Sequence, residues 1–161
     1  MSVLKAARRW LGNGRAFRWL LAAYPPYVGA GVRVVHATND LSEIDVEMAL
    51  RWWNRNYVGT HFGGSLYSMA DPFYMLMLME RLGRDVEVWD KAATIRFRRP
   101  GRGKVLVRFR LASEVVGAAR ARLDAGEERF DLDFDVNIET PDGDVVAQVS
   151  KVIHVRKKRR T

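Results

Sequence analysis

Residues 65–82 read SLYSMADPFYMLMLMERL, and their apolar side chains recur at helical spacing. The positions that keep this spacing are Leu66, Met69, Ala70, Phe73, Tyr74, Met77, Leu78 and Leu82. Met75, Leu76 and Met79 fill much of the remaining circumference. A helix that is apolar nearly all round has to be buried on every side. The stretch therefore predicts one long central helix that the rest of the chain must wrap.

The segments on both sides of this helix are predicted strands, and most of them alternate apolar and polar residues with the two-residue period of half-buried strands. They are residues 31–37 and 44–51 before the helix, and 92–98, 104–111, 129–139 and 145–155 after it. Residues 113–126 predict a short helix with Ser113 as its N-cap. Short links and alternation favour an antiparallel sheet with one covered face. We therefore predict an α+β fold in which a curved antiparallel sheet wraps the helix.

The two ends of the chain are basic and contribute to a formal net charge of +8. Residues 3–24 predict an extra N-terminal amphipathic helix, which Pro25 and Pro26 should end. The predicted parts are an N-terminal helical segment (1–27), one domain (28–155) and a basic tail (156–161). A basic surface attracts polyanions such as nucleic acid, anionic lipid or coenzyme A, although charged ends can also be only solvated. With no nucleic-acid recognition motif and no apolar run of about 18 residues, we expect neither specific nucleic-acid binding nor membrane contact.

The composition restricts the chemistry that the chain can perform. It contains no cysteine, which excludes thiolate nucleophiles and disulfides and suits a cytoplasmic protein. Its three histidines, His36, His61 and His154, lack the spacing of metal ligands, so we expect no metal site.

Residues 56–71 read NYVGTHFGGSLYSMAD, and this segment resembles one motif of the hot-dog-fold acyl-CoA thioesterases. The phenylacetate-pathway branch carries an Asn, then Gly-Thr, then His-Gly-Gly, and an Asp seven residues after the second Gly. Gly59-Thr60, Gly63-Gly64 and Asp71 match without a gap. The chain is most similar to a sub-branch catalogued as a domain of unknown function. It departs from the pattern because Phe62 stands where the family has His, and His61 lies one residue earlier.

The resemblance implies a thioesterase whose catalytic residues are Asp71, Gly63, Gly64, Asn56 and His61. Asp71 would activate water or attack the thioester itself. The backbone amides of Gly63 and Gly64, at the start of a helix, would stabilise the oxyanion, which the positive end of a helix favours. Asn56 would orient water or substrate. No cofactor is implied, since coenzyme A is part of the substrate.

Five further residues are candidates for substrate binding, namely Thr60, Tyr67, Ser68, Arg99 and Arg102. Thr60 and Ser68 could donate to the thioester, and Tyr67 could line an acyl tunnel. The two arginines could hold the phosphates of coenzyme A. Each has a structural alternative: local hydrogen bonds for Thr60 and Ser68, core packing for Tyr67, and an outer sheet face for the arginines.

Asp71 also has a structural alternative, because Asp-Pro can be a helix N-cap followed by proline at the first helical position. On the catalytic interpretation, Gly64 and Asp71 lie seven residues apart, about 10 Å along a straight helix. One carbonyl cannot easily contact both. We therefore predict at least a homodimer, or a tetramer, with each site shared by two subunits. The alternative function is a non-catalytic hot-dog protein that binds acyl-CoA or a lipid-like ligand.

Overall fold

A computed structural model describes residues 14–158 of the chain. The helices are α1 (Gly14–Ala22), α2 (Pro25–Ala30), α3 (Gly63–Ser68), α4 (Phe73–Leu82) and α5 (Ser113–Asp124). The strands are β1 (Val32–Ala37), β2 (Glu43–Ala49), β3 (Val86–Phe97), β4 (Lys104–Arg110), β5 (Arg129–Glu139) and β6 (Val145–Lys157).

The six strands form one antiparallel sheet in the order β1-β2-β4-β5-β6-β3. The sheet curves around α3 and α4, so the α+β class and the wrapped helical segment that the sequence predicts are confirmed. The strands follow the predicted alternation, and β5 has the predicted bounds. β3 begins at Val86, earlier than the predicted residue 92, and lies at an edge of the sheet, where it pairs with β6 alone.

The central helical segment is the main correction to the sequence prediction. It is two helices, α3 and α4, separated by residues 69–72. Pro72 has no N–H for a helical hydrogen bond, and its ring disfavours helical geometry at Asp71. Met69 and Ala70 stay fully buried within the break. The break thus keeps the apolar segment in the core and changes only its backbone path.

Aromatic packing joins α4 to the inner face of the sheet. The rings of Phe73 and Phe109 have their centroids 4.8 Å apart. Tyr74 stacks on Phe134 at 4.3 Å and meets the Phe109 ring edge-on at 5.2 Å. Such pairs add stability beyond the burial of their surface. This cluster fixes α4 against β4 and β5, and so fixes where the break before α4 lies.

The N-terminal part differs from the prediction at Pro25 and Pro26. These prolines begin α2 instead of only ending the preceding helix, which is favourable because proline at the first helical positions loses no hydrogen bond. α2 therefore crosses the predicted boundary between residues 27 and 28. α1 buries Phe17 and Leu21. The predicted helix at residues 3–13 and the end of the basic tail, residues 159–161, lie outside the described residues.

The N-cap of α5 is also corrected. Ala112 occupies this position without a side-chain capping bond, and Ser113 is already helical. Its hydroxyl instead accepts a hydrogen bond from Arg81 at 3.1 Å. The serine thus ties α5 to the end of α4.

The loop between β2 and α3 is held by side-chain amides and by His61. Asn54 accepts from the Arg51 amide at 2.7 Å and donates to the carbonyls of Ala30 and Ala49, each at 3.0 Å. The His61 Nε2–H donates to the Gly103 carbonyl at 3.0 Å. Nδ1 is buried and has no hydrogen-bond partner within residues 14–158. Burial lowers the pKa of His61, and the bond to Gly103 opposes this only in part.

We predict that protonation of His61 destabilises the fold, because the new Nδ1–H would be buried without an acceptor. The folded-state pKa lies below the unfolded value of about 6.5, so the free energy of unfolding should fall as pH drops through and below that value. Urea unfolding near pH 7.5 and pH 5.5 measures this change. It should be smaller in His61→Gln than in the wild type, and smaller than in His36→Gln, a matched change at a half-exposed histidine. An equal pH dependence in His61→Gln would contradict the assignment.

Candidate active site

The ten predicted site residues fall into two groups in one protomer. Six of them, Asn56, Thr60, His61, Gly63, Arg99 and Arg102, line a cavity of about 550 Å³ between the β2–α3 loop and the β3–β4 turn. Gly64 follows directly in α3. Asp71 is not among the residues that line this cavity, and neither are Tyr67 and Ser68. The structure therefore brings the predicted residues around the glycines together at one cavity, and the Asp71 carboxylate lies outside that cavity.

The two glycines allow close packing at the start of α3. A Cβ atom at Gly64 would lie 2.5 Å from the Phe62 ring, and one at Gly63 would lie 3.0 Å from the Phe97 ring. Phe62 is the N-cap of α3 and makes no side-chain capping bond. The first amides of a helix have no partner within it. This end of α3 thus carries backbone donors that have no partner within the helix, next to the cavity that Gly63 lines and beside two exposed phenylalanine rings.

Asn56 and Thr60 are engaged with each other within the loop. The Asn56 amide group donates to the Thr60 hydroxyl at 2.8 Å and to the His61 carbonyl at 3.3 Å. Its oxygen accepts from the amides of Val58 and Thr60, at 3.1 and 2.9 Å. These four bonds use the whole side-chain amide. In this conformation, Asn56 shapes the cavity wall.

His61 also forms part of the cavity wall, because its backbone amide and its imidazole both donate hydrogen bonds to the turn at residues 101–103. Its amide donates to the Gly101 carbonyl at 3.0 Å, and its imidazole donates to Gly103. The shift of one residue relative to the family pattern thus places the imidazole against this turn, while the Phe62 ring takes the exposed position.

Both candidate arginines are exposed at the cavity rim. Arg99 forms an ion pair with Asp144 at 2.7 Å. Its neighbour Arg98 donates to Gln148 at 2.7 Å. An exposed pair of this kind contributes little to stability, since both charges stay hydrated. The guanidinium groups can therefore exchange such partners for a phosphate at small cost.

Asp71 lies in the break between α3 and α4, with its side chain half exposed. The N-cap of α4 is Pro72, and no side chain caps the helix. The interpretation of Asp71 as a helix cap is therefore not supported. Ser68 makes a local bond, in which its hydroxyl donates to the Gly64 carbonyl at 2.8 Å. Burial, followed by the interaction of the phenol with the Asp71 carboxylate, raises the pKa of Tyr67.

Two charged residues that the sequence analysis missed lie beside Asp71. The Lys151 side chain is completely buried, and its Nζ lies 2.9 Å from Asp90 Oδ1 and 3.7 Å from Asp71 Oδ1. The same Nζ donates to the Asp71 carbonyl and lies 3.5 Å from the Ala70 carbonyl. Burial raises the pKa of Asp90, and Lys151 opposes this. A buried cation thus connects the break to the sheet.

The sequence did carry a signal for Lys151. The inward residues of β6 are Ala147, Val149, Lys151, Ile153 and Val155, all of them buried. Strict alternation therefore places a lysine in an otherwise apolar row. Asp90 could be found in the same way from Val86 and Val88, but the bulge after Asp90 interrupts the pattern.

Two other properties of the described part of the chain bear on the site. Residues 14–158 contain no group of three or more His, Cys, Asp or Glu side chains able to hold a metal ion. Among the same residues, no helix is long and apolar enough to cross a membrane.

Comparison with solved structures identifies the fold. PA5026 from Pseudomonas aeruginosa, named a probable thioesterase, is 20% identical with a TM-score of 0.75 over 88% of this chain and 93% of its own. Thioesterase HI1161 from Haemophilus influenzae is 15% identical with a TM-score of 0.65, over 89% and 90%. The PaaI protein of the E. coli phenylacetic acid degradation operon is 16% identical with a TM-score of 0.58, over 89% and 91%. A search of curated proteins found no match.

These similarities confirm the hot-dog fold that the resemblance at residues 56–71 implies. The family model of DUF4442, a domain of unknown function, matches residues 13–155. The match spans the helices and strands from α1 to β6. The chain therefore belongs to the DUF4442 family, and its fold is the hot-dog fold.

Proposed function

We propose that the protein hydrolyses the thioester of an acyl-CoA or an acyl-carrier protein. The observation that carries the proposal is the position of Asp71, at the motif position of the family carboxylate and at a break in an otherwise apolar helical segment. Its side chain is half exposed and is backed by the buried Lys151. A half-exposed carboxylate beside a buried cation, within a segment whose other side chains pack in the core, is a candidate for a catalytic role.

The reaction requires a nucleophile and a stabilised oxyanion. In the proposed step, Asp71 accepts a proton from water while the water oxygen forms a bond to the thioester carbon. The carbonyl oxygen becomes negative and accepts hydrogen bonds from the amides of Gly63 and Gly64, where the helix start favours negative charge. The carbon–sulfur bond then breaks, and the proton passes from Asp71 to the departing thiolate. Direct attack by the Asp71 carboxylate is the variant of this step, and water then hydrolyses the resulting anhydride.

The cavity at the start of α3 suits the coenzyme A end of the substrate. Arg99 and Arg102 lie at its rim and would bind phosphate groups. Thr60 lies in the wall of the cavity, and Tyr67 and Ser68 lie along α3 toward Asp71. We assign the acyl group to the apolar surface near Tyr67.

A second copy of the chain would supply what one protomer lacks. Asp71 does not line the cavity that the glycines border, which supports a site in which the two groups come from different subunits. Strand β3 has an unpaired edge, and residues 91–94 and 96–97 along it are exposed. An open edge strand can pair with another strand. We propose a homodimer through this edge, with Asp71 of one protomer facing Gly63 and Gly64 of its partner.

The alternative function is a non-catalytic protein that binds acyl-CoA or a lipid-like ligand. It is favoured by the cavity wall around Asn56 and His61, since both side chains are used within the protein. On this alternative, the cavity binds the ester but no group activates water. Both functions therefore predict that the protein binds acyl-CoA esters, but only the thioesterase hydrolyses them.

We predict that the wild type hydrolyses at least one acyl-CoA of a panel of short, long and aromatic esters. Asp71→Ala should lower kcat/KM by about 10²- to 10⁴-fold, the usual contribution of a general base. Asp142→Ala, a matched change in the exposed β5–β6 turn, should leave kcat/KM unchanged. Unfolding curves show whether Asp71→Ala is folded. Binding of the esters without hydrolysis by the wild type would move the protein to the alternative function.

We predict that two inactive variants complement each other if sites are shared between subunits. Gly64→Val should block the amides, because a Cβ there meets the Phe62 ring. A heterodimer of Asp71→Ala and Gly64→Val, purified through two different tags, has one intact site and should show about half of the wild-type activity. Each homodimer should be inactive. An inactive heterodimer would show that both groups act within one subunit.

A further inference from the structure

We propose that Lys151 is a positioning residue that holds Asp71 in place, and that Asp90 competes with Asp71 for this cation. The catalytic part of this inference rests on the proposed function. The electrostatic part concerns only the buried cluster of Lys151, Asp71 and Asp90, and it can be tested without turnover.

Lys151 cannot act on a substrate directly, because no part of its side chain is exposed. It reaches Asp71 in two ways. Its ammonium group donates to the Asp71 carbonyl, which fixes the backbone at the break. It also lies 3.7 Å from the Asp71 carboxylate, on its buried side. The carboxylate is thereby held at its buried face while its other face stays open.

A buried cation requires compensating charge, since an isolated ammonium group in an apolar core is strongly disfavoured. The titratable groups that act on this cluster come from three elements besides β6 and the break. They are Asp90 on β3, Tyr67 on α3 and Tyr27 on α2. Burial raises the pKa of both phenols, so they remain neutral. The charge balance is thus one cation between two carboxylates.

The two carboxylates are not equivalent. Asp90 lies nearer to Lys151, at 2.9 Å against 3.7 Å, and its side chain is less exposed, at 22% against 50%. A second negative charge near Asp71 opposes the effect of the lysine. Removing the cation and removing the competing anion should therefore have opposite effects on the protonation of Asp71.

The test compares Lys151→Met with Asp90→Asn in the full-length protein. Lys151→Met should move the acidic limb of the pH profile of kcat/KM to higher pH, because Asp71 loses its cation. Asp90→Asn should move this acidic limb to lower pH, because the Lys151 cation then interacts with the Asp71 carboxylate alone. Lys157→Met, a lysine-to-methionine change at an exposed position of the same strand, should leave the profile in place.

A second readout is independent of activity. The carboxyl carbon resonance of Asp71, assigned by its loss in Asp71→Asn, should titrate at higher pH in Lys151→Met and at lower pH in Asp90→Asn. These shifts are expected even if the wild type hydrolyses no thioester, so failure of the proposed function is separable from failure of this inference. If Lys151→Met does not fold, Asp90→Asn decides alone. Shifts in the same direction, or no shift in Asp90→Asn, would overturn the proposal.

Discussion

The fold depends on the burial of the apolar helical segment that runs from α3 through α4. Met69, Ala70, Phe73, Met77 and Leu78 are fully excluded from solvent. Each large side chain among them contributes about 1.5–3 kcal/mol when it leaves water. No single helix could shield such a segment, and a curved sheet with an apolar inner face does so with six strands.

The candidate site occurs where this apolar packing is interrupted. Pro72 prevents a continuous helix, and the break turns the carbonyls of Ala70 and Asp71 toward Lys151, the one charged residue in the inward row of β6. Such exceptions are costly in a core, and proteins retain them mainly at functional sites. The same break frees the Asp71 carboxylate from a helix face and leaves it half exposed. The apolar residues that build the core and the break that exposes Asp71 thus lie within a few residues of each other.

Sequence patterns predicted the parts of the structure that follow one period. The alternation in residues 129–139 gave the bounds of β5, and the helical spacing after Leu66 identified the central segment. The patterns failed where two requirements compete. Helical spacing continues through Ala70-Asp71-Pro72, but the proline ring prevents the hydrogen bonds that the spacing implies. The first half of β3 was missed although Val86 and Val88 alternate with outward residues, because the bulge after Asp90 separates this alternation from that of residues 92–98. Lys151 was visible in the alternation of β6, but its partners come from β3 and from the helix break, and only the fold brings these together.

The proposed site requires that Asp71 and the amides at the start of α3 act on the same carbonyl from two subunits. A crystal structure of the protein with a non-hydrolysable thioether analogue of an acyl-CoA would show whether two subunits build the site. We predict that the carbon in place of the thioester carbonyl lies between Asp71 of one protomer and Gly63 and Gly64 of the other, with the phosphates near Arg99 and Arg102. An analogue bound far from Asp71, or a site built from one subunit alone, would contradict it.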